Sequence, residues 1–351
     1  MRIKDKLSPV YDHLLAESFL TMDVPEESFS DCDNCHFCTK QSLPKFSSKC
    51  CDYHPFIPNY MVGAILSDET EELKEGKKRI LKRIKDKIGV TPYGIQSSLP
   101  YTKLFKENRA KKRKKETVTR AEIDAITCPY LDHGKCTVYK YRSDLCPVWY
   151  CTSTSGKVGN QFWEKIKQYT FAVEKSLRIH VMMELGYPIE KIHLPNHGPT
   201  GLQLQRPDGS LRDKAFKKLW DKWLGKEEDF YKDSFSVVMG MDKDKVDKTL
   251  GSEQTIIMAQ LEGLVPQMHA QRLPDLLVLE KDNVQWQKLS AGEPIIMNGN
   301  QLKLGKLQLM MLKSFDGQRT TKEVFRNSVL NEVPVLQIVK PLMEMGVLKE
   351  G

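Results

Sequence analysis

Beyond residue 151 the chain has no cysteine, although 200 residues remain, and all nine of its cysteines lie between positions 32 and 151. It has no apolar run near the roughly 18 residues that a membrane-crossing helix requires. Its opening, Met1 to Pro9, lacks the apolar core of a secretory signal, because charges and Pro9 interrupt it. These absences predict a cytoplasmic protein with no membrane partner. Two familiar ligand loops are missing as well. Gly156-Lys157-Val158-Gly159 lacks the first glycine of a phosphate loop and carries Val158 where a hydroxyl should hold magnesium. Asp242 to Glu253 has the length of a calcium loop, but Val246 and Asp247 stand where an oxygen ligand and a glycine are needed. What remains is an ordinary globular composition: 351 residues, 40% hydrophobic and 28% charged, enough for about two domains with real cores.

The crowded cysteines need a cause. A disulfide framework suits small exported chains with even cysteine counts, and this chain is neither small nor even. Free thiols packed as small hydrophobes account for two or three positions, but not for Cys32-x2-Cys35-x2-Cys38, where polar residues intervene and three thiolates can face inward around one loop. Metal ligation explains that run. Several ligands from one short segment favour an iron-sulfur cluster, whereas structural zinc usually takes two separated pairs. Cys50 and Cys51 follow a dozen residues later, and Cys128-x7-Cys136-x9-Cys146-x4-Cys151 supplies a second group. Nine cysteines fill two four-coordinate sites with one left over, or the two groups converge on one cluster. The spacing leaves both open. His36, His54 and His133 lie in the same region and read as surface or hydrogen-bonding histidines that are also able to replace a thiolate. No Cys-His pair stands out as a nucleophile and its base.

The segment Cys128-Pro-Tyr-Leu131, Asp132-His-Gly-Lys135, Cys136-Thr-Val-Tyr139, Arg142 and Cys146 resembles the YkgJ-type zinc- or iron-chelating cysteine-cluster family. With the upstream cysteines, the likeness covers about 120 residues. Ser143 stands where that family often has proline, and Pro147 where arginine is common. The resemblance implies a metal held by cysteine thiolates, drawn from Cys32, Cys35, Cys38, Cys50, Cys51, Cys128, Cys136, Cys146 and Cys151. A more distant similarity to flagellin lysine-N-methylase implies an iron-sulfur cluster and protein modification. No radical-SAM Cys-x3-Cys-x2-Cys loop is present. Physically, Asp132 to Lys135 reads as a turn that brings Cys128 and Cys136 together, Val138 and Tyr139 are expected to pack, and Arg142 to pair with thiolate or carboxylate charge.

Residues 71–120 hold 17 lysines and arginines against 6 acids, a local charge of +11 where the whole chain carries +8. The pattern over 67–88 is helical with a narrow apolar stripe, so most of that helix is expected to face water. The block Arg109 to Lys115 has no interleaved aromatic and reads as a solvated loop, with an acidic protein or nucleic acid as the partner its charge would suit. Phe162, Ile166, Tyr169, Val173, Leu177, Val181 and Leu185 recur at helical steps before Gly186 and Pro188, the clearest helix in the chain. Trp149 to Trp163 is the expected wall of a substrate pocket. Toward the C-terminus, 276–279 and 284–289 read as strands, Asn298-Gly299 as a hairpin turn, 306–315 and 333–345 as helices, Asp316-Gly317 as a turn, Thr320 to Glu323 as a capping box, and the last residues as a strand.

The expected architecture is mostly α, with an irregular metal-bound cysteine-rich N-terminal domain over 1–190, a helical connector over 191–275, and a small α+β, winged-helix-like domain over 276–351. The expected function is a metal-cluster protein, iron-sulfur in kind, with a redox or protein-modifying role and a protein partner. The alternative is a zinc-stabilised adaptor or nucleic-acid-binding protein using the 106–115 run.

Overall fold

The computed structural model describes residues 1–27, 52–114, 116, 118–143, 145–150, 153–188, 205–297, 299–327 and 332–351. Its first seven helices are α1 Glu17–Leu20, α2 Asn59–Ser67, α3 Lys74–Lys85, α4 Leu99–Arg113, α5 Arg120–Asp124, α6 Leu145–Val148 and α7 Gly156–Glu184. Then follow α8 Asp213–Trp220, α9 Glu227–Met239, α10 Lys243–Leu250, α11 Glu253–Gln271, α12 Val284–Ser290, α13 Lys306–Leu312, α14 Thr321–Asn327 and α15 Glu332–Glu344. The chain is thus mostly helical, and among the described residues the strands form four small sheets.

Helix α2 is apolar all round, and every residue from Asn59 to Leu66 is buried; such a helix belongs at the centre of a core. Gly63 makes this possible, since a Cβ there would meet the Tyr231 carbonyl of α9 at 1.9 Å. Helix α7 buries Phe162, Ile166, Tyr169, Val173, Leu177 and Val181 along one stripe. It ends as expected at Gly186, whose φ is +65°, with Tyr187 N–H on Met182 O closing the terminus. Helix α11 lies along it, and Ser155 Oγ donates to Met268 O at 2.9 Å. This first core runs from Ile3 to Met268 and takes in Phe216, Trp220, Phe230 and Val246. Strands β1 Ile57–Pro58, β2 Val90–Thr91 and β3 Gly94–Ile95 form a small antiparallel sheet in the order β1-β3-β2 beside α2. Strands β4 Leu131–Asp132 and β5 Lys135–Cys136 pair as a hairpin.

A second core, from Leu273 to Leu348, gathers Leu277, Trp286, Leu312, Phe315, Val339 and Leu342. There β6 Leu276–Leu279 is flanked by β9 Asp316–Thr320 and β10 Leu348–Glu350, both antiparallel, and β7 Ile295–Met297 pairs with β8 Asn300–Leu302. Two expectations fail here. Residues 284–290 form helix α12 and not a strand, because Asn283 caps it by accepting from Gln285 N and Trp286 N, and Trp286 and Leu289 enter the core three residues apart. Residues 316–320 form strand β9, so Asp316 and Gly317 open a strand where a turn is expected, paired to β6 across an irregular register. The Thr320–Glu323 capping box forms as expected, with Thr320 N–H on Glu323 Oε2 and Glu323 N–H on Thr320 Oγ1. A third correction concerns the basic block, whose first five residues continue helix α4 and are not a loop.

Candidate metal centre

The turn between Cys128 and Cys136 is the expected one. His133 and Gly134 adopt successive positive φ values of 43° and 81°, the left-handed pair of a two-residue hairpin, and register Leu131 opposite Cys136. Thr137 extends the pairing by donating its N–H to Tyr130 O at 2.8 Å. His133 is exposed at the tip.

Two arginines of α3 hold this hairpin. Arg79 donates to Pro129 O and Leu131 O, both at 2.9 Å, and to Asp132 Oδ1 at 2.8 Å, while Glu75 takes its Nε. Arg83 is buried and donates to the Tyr130 hydroxyl at 3.3 Å, to Gln96 O and to Ile88 O. Gly76 lets the hairpin sit directly on α3, since a Cβ would meet Thr137 O at 2.2 Å. Further along, Asp68 at the end of α2 accepts from Lys140 Nζ at 2.7 Å and Tyr141 OH at 2.9 Å. Burial alone would raise the Asp68 carboxyl, but these hydrogen bonds and those from Thr70 hold it well below the usual range.

The Cys128 and Cys136 thiols both act electrostatically on the Tyr130 hydroxyl. Burial pushes the Tyr130 hydroxyl up, Arg83 draws it down, and both cysteines add to the rise. Burial likewise pushes the Cys136 thiol up, opposed by the Val138 N–H directed at its sulfur and by the charge of Arg142. Those two features oppose the rise without reversing it, and the Arg142 guanidinium itself donates to Lys6 O. Tyr139 does not pack. It is 54% exposed, and its ring carries the Arg142 guanidinium at 3.5 Å.

Cys146 lies on α6, its N–H on Ser143 O at 3.2 Å. Cys128, Cys136 and Cys146 are half-buried thiols and not disulfides. Cys32, Cys35, Cys38, Cys50, Cys51 and Cys151, with His36, lie outside the described residues. Among the described residues no three of His, Cys, Asp and Glu converge into a metal site, so the expected metal-bound domain is not displayed by them.

The residues flanking the two cysteine groups are nevertheless tied to one another. Asp52, the covalent neighbour of Cys51, accepts at its carbonyl from Tyr101 OH at 2.9 Å. His54 stacks on the Tyr101 ring at 3.6 Å, gives its N–H to the Tyr101 hydroxyl, and donates from Nε2 to Thr127 O at 2.9 Å. Thr127 precedes Cys128. Burial, with a smaller push from Arg83, lowers His54 to about 4, so the ring is neutral at pH 7 and is committed to this tie, as a hydrogen-bonding histidine should be. At the opposite ends, the buried Glu27, five residues before Cys32, accepts from Ser153 Oγ and Thr154 N at 2.7 Å each, from Thr154 Oγ1, and from Trp163 Nε1. Ser153 follows Cys151 by two residues. The carboxylate thus sits at the entry to α7, where helix N–H groups favour negative charge.

Trp163 is therefore committed to Glu27 and packs on Tyr150 at 4.6 Å, and Trp149 is exposed, so the aromatic residues of this stretch are engaged elsewhere and only its polar residues border a groove. An open groove of about 650 Å3 takes Lys157 and Gln161 from this stretch, with Glu164 of α7 and Gln260, Leu264 and Gln267 of α11.

Glu27, Asp68, Arg79 and Arg83 escape a reading of sequence. Only the arginines leave a trace: they stand four residues apart beside Ile80 and Ile84, on one edge of the apolar stripe of α3. No known protein family, curated protein or solved structure matches this chain.

Proposed function

We propose that the chain is a cysteine-cluster metal protein of the YkgJ type, iron-sulfur in kind, acting in redox exchange with a protein partner or in its modification. The observation that carries this reading is the paired tie: both flanks of the Cys32–Cys51 group are fastened to flanks of the Cys128–Cys151 group, by His54 to Thr127 and by Glu27 to Ser153 and Thr154. Such fastening supports convergence of the two groups on one centre over two separate sites. The donor set fits a thiolate-bound metal: Cys136 has an N–H aimed at its sulfur and an arginine beside it, features that raise the fitness of a sulfur ligand. Cys128 and Cys136 would be ligands from the hairpin and Cys146 from α6, with the remaining ligands from Cys32, Cys35, Cys38, Cys50, Cys51 and Cys151. A bound cluster of this kind supplies one-electron exchange. The C-terminal unit, with its three-stranded sheet and helices, is read as a winged-helix-like accessory to that site.

Anaerobic purification followed by assay of iron, acid-labile sulfide and zinc tests the reading. Iron with matching sulfide and a visible band bleached by dithionite is the expected result. Stoichiometric zinc in colourless protein transfers the site to the structural class, and absence of all three overturns metal binding. Cys128→Ser and Cys136→Ser should each lower metal content and open the N-terminal half to protease.

A further inference from the structure

Two consecutive helices carry the basic stretch, and they use their cations differently. On α3, Lys74 pairs with Glu71 at 3.2 Å, Lys77 with Glu69 at 2.6 Å, Lys78 with Glu75 at 3.5 Å and Lys82 with Asp86 at 2.7 Å, while Arg79 bridges Glu75 and Asp132. Among the described side chains of α4, only the cation of Lys111 is paired, to Glu122. Lys103, Lys106, Arg109 and Arg113, with Lys114 just past the helix end, are exposed. None of the five has an acidic partner among the described residues; Arg109 alone has a contact, over the Phe105 ring at 5.7 Å. At 100° and 1.5 Å per residue these cations fall within an arc of roughly 140° and a length of about 16 Å. The opposite face is closed, with Tyr101 buried and Asn108 donating to Glu122 O.

We propose that the exposed face of α4 is a docking surface for an acidic protein. The chain's acids neutralise α3 and leave α4 bare, so the electropositive field is concentrated on one rigid helix face, where it steers and orients a partner of opposite charge. Nucleic acid fits less well. The face offers no exposed aromatic ring for a base to stack on, since Tyr101 is buried and Phe105 lies half-buried under Arg109, and Glu107 stands exposed at its edge. A second copy of the chain fits less well too, because exposed Glu228 and Asp229 stand among Lys222 and Lys226. The inference goes beyond the metal reading and stands without it.

The test is fluorescence anisotropy of the full chain with a labelled glutamate-rich helical peptide, and with labelled single-stranded and duplex DNA of similar charge, at about 50 and 200 mM salt. Two variants each remove four charges: Lys103→Gln, Lys106→Gln, Arg113→Gln and Lys114→Gln on α4, and Lys74→Gln, Lys78→Gln, Lys82→Gln and Lys85→Gln on α3. Peptide affinity should fall with salt, fall about tenfold or more in the α4 variant, and change less than about threefold in the α3 variant. Unchanged urea midpoints show that both fold. Equal losses in the two variants, or no peptide binding at the lower salt, overturn the proposal. Tighter binding of either DNA transfers the face to nucleic acid, and self-association that only the α4 variant abolishes transfers it to a second copy.

Discussion

The two ties that fasten the cysteine groups differ in kind. At one end a buried carboxylate, Glu27, gathers four donors from residues more than 120 positions away. At the other, His54 bonds Thr127 directly and stacks on Tyr101, which bonds Asp52, so that a neutral ring pair makes the link with backbone carbonyls as two of its acceptors. Hydrogen bonds to a charged group are stronger than neutral ones, and removing a buried acceptor strands its donors without water. The carboxylate tie should therefore be the costlier to cut, and the aromatic tie the one that responds to mild acid.

Glu27→Ala tests the first half of that contrast. It leaves Ser153 Oγ, Thr154 N, Thr154 Oγ1 and Trp163 Nε1 facing a vacated acceptor, and should cost about 3–5 kcal/mol in urea unfolding. Glu27→Gln keeps the shape but turns one oxygen into a donor opposite other donors, so it should recover less than half of the loss. A cost below about 1 kcal/mol for Glu27→Ala would mean that the Glu27 tie is no stronger than the aromatic one, and the comparison would collapse.

Between the ties stands the hairpin, and its fixture sharpens the same point. Arg79→Met removes three hydrogen bonds to residues 129–132, the segment just after Cys128, and should cost about 2–3 kcal/mol. Arg79→Lys should restore little of it, because one ammonium cannot span two carbonyls and a carboxylate as a planar guanidinium does. Reaction of Cys128 and Cys136 with an aromatic disulfide reagent should quicken in both variants. If Arg79→Lys is fully stable with unchanged thiol reactivity, the fork geometry is not what holds the hairpin.

These fixtures mark the boundary of what a sequence discloses. Local patterns were legible: the Asp132 to Lys135 turn, the stripe of α7, the Thr320–Glu323 capping box and the 295–302 hairpin all rest on residues within one turn or one helix face. Helix α4 was hidden because its cations dominate the composition, although Tyr101, Leu104, Phe105 and Asn108 recur at helical spacing. Residues 284–289 were misread because a short apolar run has no period of its own, and the Asn283 cap decides it. Tyr139 was expected inside, but Arg142 gives its ring a surface to cover instead. Glu27, Asp68 and Arg79 act across separations that no local pattern records. In the site itself, spacing and the family resemblance marked the cysteines, while the ties that would bring their groups together appeared only in three dimensions.

The smallest expected effects belong to the aromatic tie, and pH separates its parts. His54→Ala removes the stack and the bond to Thr127 and should cost about 1–2 kcal/mol, whereas His54→Phe keeps the stack and should cost about half of that. The wild-type ring titrates near 4 when folded and near its ordinary 6.5 when unfolded. Between those values the unfolded chain takes up a proton that the folded chain refuses, so stability is fully present above about pH 6.5 and declines as pH falls toward 4. The decline should reach about 1–2 kcal/mol, less than the whole shift implies, because the ring keeps some contact with water. In His54→Phe that decline should vanish while the remaining carboxylate-driven loss below pH 4 persists. Identical pH profiles for wild type and His54→Phe would show that the ring is not the acid-sensitive element of the tie, and the distinction between a charged fastening and a titrating one would have to be drawn elsewhere.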